Sequence, residues 1–130
     1  MRVLVTGAGG FLGQSIVRAL HGRGDEVCTL QRGEYPALSE LGVVINKGDI
    51  ANKDTVIQAS ENCDAIIHAA AKAGVWGDYQ DYYRSNVCGT LNVIDACKKN
   101  RIAKLVYTSS PSIVFAGEDE DGIDETTPLP

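Results

Sequence analysis

The run Thr6-Gly7-Ala8-Gly9-Gly10-Phe11-Leu12-Gly13 has residue types and spacing that suit phosphate chemistry. It follows an aliphatic, strand-like segment and opens a helix-period one, the context in which a glycine turn can bring backbone N–H groups against a pyrophosphate. Gly7 permits a tight turn, Gly10 lets the backbone approach the phosphates, and Gly13 allows the helix to lie close on the strand. The free N–H groups and the positive end of the helix dipole at Phe11 and Leu12 then favour the negative charge. A glycine turn with no ligand is the plainer alternative, and the strand–turn–helix context weighs against it. No Lys-Ser/Thr pair follows the glycines, which excludes a Walker-type phosphate loop. The candidate cofactor-binding residues here are Gly7, Gly9, Gly10, Phe11, Leu12 and Gly13.

About 20 residues beyond such a turn, a fold selective for NAD places a carboxylate that accepts hydrogen bonds from the ribose 2′-hydroxyl. This chain reads Leu30-Gln31-Arg32-Gly33 there. Without an acidic residue a 2′-phosphate meets no repulsion, and Arg32 can bind it through a charge-assisted, bidentate contact. The reading favours NADP(H) over NAD(H), against the alternative of a surface arginine on a turn.

Other chemistry-bearing residues admit plainer readings. Ser109 and Ser110 end a strand-like run, where serines often only shape turns. His68 lies inside an apolar run and reads as a satisfied core histidine rather than a catalytic one, and His21 as a surface residue. Asp49 could be a turn former, and Asn86 could cap or bend a helix. Trp76, Tyr79, Tyr82 and Tyr83 could line a substrate pocket but read more readily as packing residues. Cys28, Cys63, Cys88 and Cys97 show neither a C-x-x-C pair nor metal-ligand spacing with either histidine, so reduced, mostly buried thiols and no metal site are expected.

The elements that must position these residues alternate. Apolar runs at Val3 to Thr6, Val27 to Leu30, Val43 to Asn46, Ala65 to Ala69 and Lys104 to Ser109 are nearly continuous, as in strands covered on both faces. Between them lie helix-period segments. Leu12, Ile16, Ala19 and Leu20 share one face of the first, which Gly22 and Gly24 are placed to end. Val87, Leu91, Ile94 and Cys97 share one face of the longest, which Asn100 can end in a left-handed cap. Asn52 or Asp54 can cap a shorter helix through Ala59, and Gly33 to Gly42 has room only for a turn or a short helix. Strand–helix alternation of this kind predicts an α/β, doubly wound Rossmann-type parallel sheet of about five strands in the order 3-2-1-4-5.

The 130 residues suffice for one domain, and no apolar run approaches the roughly 20 residues of a membrane helix. The start shows no leader pattern, so a cytoplasmic location is expected. The net charge is −5, and Glu118, Asp119, Glu120, Asp121, Asp124 and Glu125 account for more than all of it. Such a short acidic stretch reads as a solvated loop, and the balanced remainder lacks the basic stripe that nucleic-acid binding requires.

Five ordered segments together resemble extended short-chain dehydrogenases of the epimerase/dehydratase superfamily: the glycine run, Gly48-Asp49-Ile50, His68-Ala69-Ala70-Ala71, Asn86-Val87-Cys88-Gly89-Thr90-Leu91-Asn92, and Val106-Tyr107-Thr108-Ser109-Ser110 with Pro111-Ser112-Ile113-Val114-Phe115. The Lys72-Ala73-Gly74-Val75-Trp76-Gly77 segment, the Thr-Ser-Ser-Pro-Ser run and Arg32 to Leu38 are most similar to the 3β-hydroxysteroid dehydrogenase and sterol-4-carboxylate dehydrogenase branch, which includes bacterial reductases of 2-alkyl-3-oxoalkanoic acids. The resemblance implies an NAD(P)-binding domain in which Asp49 and Ile50 contact the adenine, Ala69, Ala70, Ala71 and Lys72 line the cofactor, Asn86 holds the active-site architecture and Ser110 is catalytic, with Ser109 and Ser112 as alternatives. It implies hydride transfer between a nicotinamide and a hydroxyl or ketone of a small hydrophobic substrate. In the family a Tyr-x-x-x-Lys motif moves the proton.

That motif is not found here. Four residues after Tyr35, Tyr79, Tyr82, Tyr83 and Tyr107 come Ser39, Tyr83, Asn86, Val87 and Pro111. The expectation is the N-terminal part of a longer enzyme, truncated before the motif and inactive alone, with a homo-oligomer left open. A nucleotide-sugar epimerase or dehydratase, and a non-catalytic dinucleotide-sensing domain, stand as alternatives.

Overall fold

A computed structural model describes residues 1–115, 117, 119 and 121–129. Its strands are β1 (Arg2–Thr6), β2 (Glu26–Gln31), β3 (Val44–Lys47), β4 (Ala65–His68) and β5 (Lys104–Tyr107). Helix α1 (Phe11–Gly22) joins β1 to β2, the single turn α2 (Pro36–Ser39) joins β2 to β3, and α3 (Lys53–Ala59) joins β3 to β4. Between β4 and β5 run α4 (Tyr79–Tyr82), a π-helical turn (Tyr83–Cys88) and α5 (Gly89–Lys99), and a 3-10 turn (Pro111–Val114) follows β5. The sheet is parallel and ordered β3-β2-β1-β4-β5, as the alternation predicts.

Successive residues of β1 point to opposite faces, so one strand feeds two cores. Val3 and Val5 join Val17 and Leu20 of α1 on one side, and Leu4 joins Val56 and Ile57 of α3 and Val93 and Ala96 of α5 on the other. Covering both faces explains why the central strands read as continuous apolar runs. β3 and β5 do not follow that expectation. They are the edges of the sheet, Val44 and Ile45 are exposed, and every residue of β5 is exposed.

The helix faces follow the periodicity only in part: Leu20 is buried and Ile16 and Cys97 pack against the core. α1 buries Gly13, Val17 and Leu20 while Leu12 and Ala19 face out, and α5 buries Gly89, Val93 and Ala96 while Val87 and Leu91 are exposed. Small residues win at both contacts because they let the helix axis approach. A Cβ on Gly89 would lie 2.8 Å from Ile50 Cγ2.

The ends are set locally. Gly24, at φ +88°, terminates α1 as Asp25 N–H donates to Leu20 O at 3.1 Å, and Asn52 caps α3 by accepting from Thr55 N–H at 3.1 Å. Asn100 is not left-handed. Arg101 takes that conformation, at φ +56°, which frees the Asn100 amide to donate to Ile57 O and Ser60 Oγ. Cys28 and Cys63 are buried and all four cysteines are free thiols. In the acidic stretch Glu118 and Glu120 lie outside the described residues, and Asp119, Asp121, Asp124 and Glu125 are exposed.

Candidate functional site

The glycine turn joins β1 to α1 at the carboxyl edge of the sheet, where open α/β folds bind ligands. Gly7 has φ +67° and donates its N–H to Leu30 O at 2.9 Å, tying the turn to β2. A Cβ there would lie 2.7 Å from Ala70 N, so the glycine also lets the segment after β4 pass directly behind. Gly13 is buried against the Gly7 carbonyl, with 2.7 Å left between a notional Cβ and Ala8 Cα. Gly10 contrasts with both. A Cβ there would touch only Gly7 O, at 3.5 Å, and otherwise project into open space. Gly10 is also the N-cap of α1, no side chain caps it, and the first turn carries no acidic residue. The first amides of α1 therefore face the opening without a protein partner from the helix itself. Phe11 and Leu12 point their side chains into solvent, so what they can offer a ligand is backbone.

A cleft of about 360 Å³ lies over the carboxyl ends of β1, β2 and β4. Gly7, Gly9 and Gly10 form its floor, Arg32 and the Asp49–Ile50 pair stand on the β2–β3 side, and Ala69, Ala70, Ala71 and Lys72 form the β4 side. Phe11, Leu12, Gly13, Asn86 and Ser110 do not line it. Ser110 caps the 3-10 turn, its Oγ 2.8 Å from Ser112 Oγ, and both are exposed.

Gln31, Tyr35 and Arg84 are among the wall residues that the sequence candidates do not include. Gln31 is 6% exposed and its Oε1 is buried with no hydrogen-bond partner. The Tyr35 ring packs over Gly9, where any Cβ would collide with it. Arg84, from the π-helical turn, pairs with Asp49 Oδ2 at 3.0 Å while Asp49 Oδ1 accepts from Ala51 N–H at 2.9 Å. Gln31 carries one sequence signal, since it occupies the place where a carboxylate is looked for. Tyr35 and Arg84 carry none, because only folding brings them to the cleft.

Asn86 acts on the wall from behind. Its side-chain amide grips the backbone of Lys72, accepting from the N–H at 2.8 Å and donating to the carbonyl at 3.1 Å. His68 is buried beneath, its ring nitrogens 2.7 Å from Thr6 Oγ1 and 3.0 Å from Thr90 Oγ1, and burial pushes its pKa down to about 4. It is a satisfied core histidine, neutral at ordinary pH. The aromatic residues beyond Lys72 do not pack into the core. Trp76 and Tyr79 are largely exposed, while Tyr82 donates its hydroxyl to Trp76 O at 2.8 Å and stands 5.2 Å beneath Lys72 Nζ. Among the described residues no group of three His, Cys, Asp or Glu side chains could hold a metal, and no helix is long and apolar enough to cross a membrane.

Comparison with known proteins agrees with this architecture. A 2-alkyl-3-oxoalkanoate reductase of Shewanella oneidensis is 54% identical over 95% of this chain and 32% of its own length. A 3-beta-hydroxysteroid dehydrogenase of Mycolicibacterium neoaurum is 38% identical over 98% of the chain and 37% of its own length. A solved UDP-glucose 4-epimerase of Thermus thermophilus in complex with NAD superposes on the whole chain with a TM-score of 0.87, at 34% identity and 44% coverage of that structure. The chain thus spans about a third of the length of the curated relatives it matches. The family model for the 3-beta hydroxysteroid dehydrogenase/isomerase family matches residues 4–130, and with these geometric and sequence correspondences the chain belongs to that family.

Proposed function

We propose that this chain is the dinucleotide-binding part of an NAD(P)-dependent oxidoreductase that interconverts a hydroxyl and a ketone on a hydrophobic substrate of the 3-oxoalkanoate or steroid class. The observation that carries the reading is the cleft floor at Gly10, where open space, uncapped helix amides and a first helical turn without an acidic residue coincide. Similarity to the Shewanella reductase favours the oxoalkanoate class.

In this reading the pyrophosphate lies on the amides that open α1, and Asp49, held by Arg84 and Ala51, presents its carboxylate to the adenine amine. Arg32, exposed and on the cleft wall, meets a ribose 2′-phosphate, so NADP(H) is preferred. Ala69 to Lys72 back the cofactor, Asn86 fixes that wall, and Ser110 positions the substrate oxygen. A bound nicotinamide dinucleotide would supply the hydride chemistry.

Gly10→Val tests the reading. A side chain there displaces the phosphates from the amides, and each charged hydrogen bond is worth about 1.5–3 kcal/mol, so dinucleotide affinity should fall about 100-fold or more. The melting temperature should move by only a few degrees. Calorimetric titration with NADPH and NADH beside a melting curve reads both, and unchanged affinity overturns the assignment. The epimerase likeness supports a second reading, action on a nucleotide sugar. It requires UDP-sugar binding by the full-length protein where the first requires an oxoalkanoate or steroid.

A further inference from the structure

We propose that His68 is a positioning residue for this cleft, fixed as its neutral Nε2–H tautomer within a one-way chain of hydrogen bonds that braces the wall from Ala70 to Lys72. The inference rests on reading the cleft as a dinucleotide site.

The direction of every link follows from its neighbours. Thr90 Oγ1 donates its only hydrogen to Asn86 O at 2.7 Å, so towards His68 Nε2, 3.0 Å away, it can only accept. Nε2 therefore carries the proton. Buried and neutral, the ring then has a bare Nδ1, which must accept, and Thr6 Oγ1–H at 2.7 Å is its donor. With its hydrogen spent, Thr6 Oγ1 is left to accept, and it does so from Ala70 N–H at 3.2 Å. The opposite tautomer would set the Nε2 lone pair against a Thr90 oxygen whose hydrogen is already committed, and would leave the Thr6 hydroxyl hydrogen without this partner. Burying such mismatches costs more than the hydrogen bonds return.

The two ends of the chain converge on one short segment. Ala70 is held by Thr6 at one end of the wall, and Lys72 is held by the Asn86 amide at the other, with the Asn86 carbonyl closing the chain. Three elements meet in this closed circuit: the end of β1, the end of β4 and the junction of the π-helical turn with α5. None of Thr6, His68 and Thr90 lines the cleft. Whatever they contribute to binding they contribute through the wall, by fixing its backbone before the ligand arrives.

The test uses the full chain with Thr90→Val, which keeps the shape and removes the hydroxyl, and Thr90→Ser, which keeps the hydroxyl. NADPH and NADH dissociation constants, melting temperature and the ring ¹⁵N shifts of His68 are recorded on each. The expected wild-type spectrum is that of Nε2–H. Thr90→Val should weaken dinucleotide binding about tenfold, the equivalent of losing one hydrogen bond, and Thr90→Ser should restore it. A purely structural role would lower the melting temperature and leave the affinity of the folded protein unmoved. That result, or an Nδ1–H spectrum, overturns the positioning role. Thr6→Val keeps the test open if Thr90→Val fails to fold, since it cuts the same circuit on β1. A wild type that binds neither dinucleotide overturns the reading of the cleft, whereas wild-type binding with unmoved variant affinities overturns the positioning role alone.

Discussion

The centre of the described sheet and its β5 side are built differently. Around β1, β2 and β4, backbone packs on backbone at Gly7 and Gly13, Thr6 and His68 are buried as a hydrogen-bonded pair, and the cleft is formed by contacts among the chain's own residues. At β5 all four residues are exposed, and Ser110 sits in an exposed turn whose near polar partner is another serine. The difference separates two tasks. Under the proposed function, dinucleotide binding draws on the first region and turnover on Ser110, so binding and turnover should respond to different substitutions.

The largest expected effect is on the first region. Gly7→Val combines a left-handed backbone with a clash against Ala70 backbone, and strain plus overpacking should cost about 4 kcal/mol. Denaturant unfolding reads the loss. A change below about 1 kcal/mol would show the region to be less tightly built than the contrast requires.

Acid should act on the same region next. The pKa of His68 is lowered to about 4 from 6.5 by burial, so the unfolded chain takes up its proton first as pH falls. The stability associated with the neutral ring is complete above pH 6.5 and declines from there through pH 4, by up to about 3 kcal/mol. Urea midpoints of the wild type and of His68→Gln across that range should diverge, with the flatter profile in the variant. Parallel profiles would remove His68 from the account.

Cofactor choice gives a smaller effect. Arg32→Asp should shift the ratio of NADPH to NADH affinity about 30-fold towards NADH at fixed salt, from loss of a charge-assisted contact and gain of repulsion. An unmoved ratio would transfer the selection to Gln31, which shares that side of the cleft.

The smallest effect sharpens the contrast from the other side. Ser110→Ala removes one hydroxyl from an exposed turn and should change stability by less than about 0.5 kcal/mol and cofactor affinity not at all. A clear loss of affinity would place Ser110 in the binding region after all.

How far the sequence is legible follows the same division. The strand order can be read because each central strand is an apolar run covered on both faces, and because Gly7, Gly10 and Gly13 fall where turn, opening and close packing need them. The helix faces can be read only in part, through Ile16, Leu20 and Cys97. Val87 and Leu91 look like a core stripe, yet packing follows Gly89, Val93 and Ala96, since periodicity locates an apolar stripe without saying which side the sheet will take. The left-handed residue after α5 shifts from Asn100 to Arg101 because the Asn100 amide has better partners on α3 and beyond it. In the site, short motifs mark the glycine floor and the β4 wall, whereas Gln31, Tyr35 and Arg84 gain their places only through tertiary contact.

The position of β1 has a consequence for how the molecule is made. β1 precedes the other described strands in the sequence and lies between two of them in the sheet, with Val3 paired to Val27 on one side and to Ala65 on the other. Its second neighbour is synthesised only after three helices and two strands have intervened. Until β4 emerges, one edge of β1 remains unpaired and the apolar residues Val3 to Val5 lack half their cover, the circumstance in which nascent chains with non-local parallel pairing fold slowly and attract chaperones.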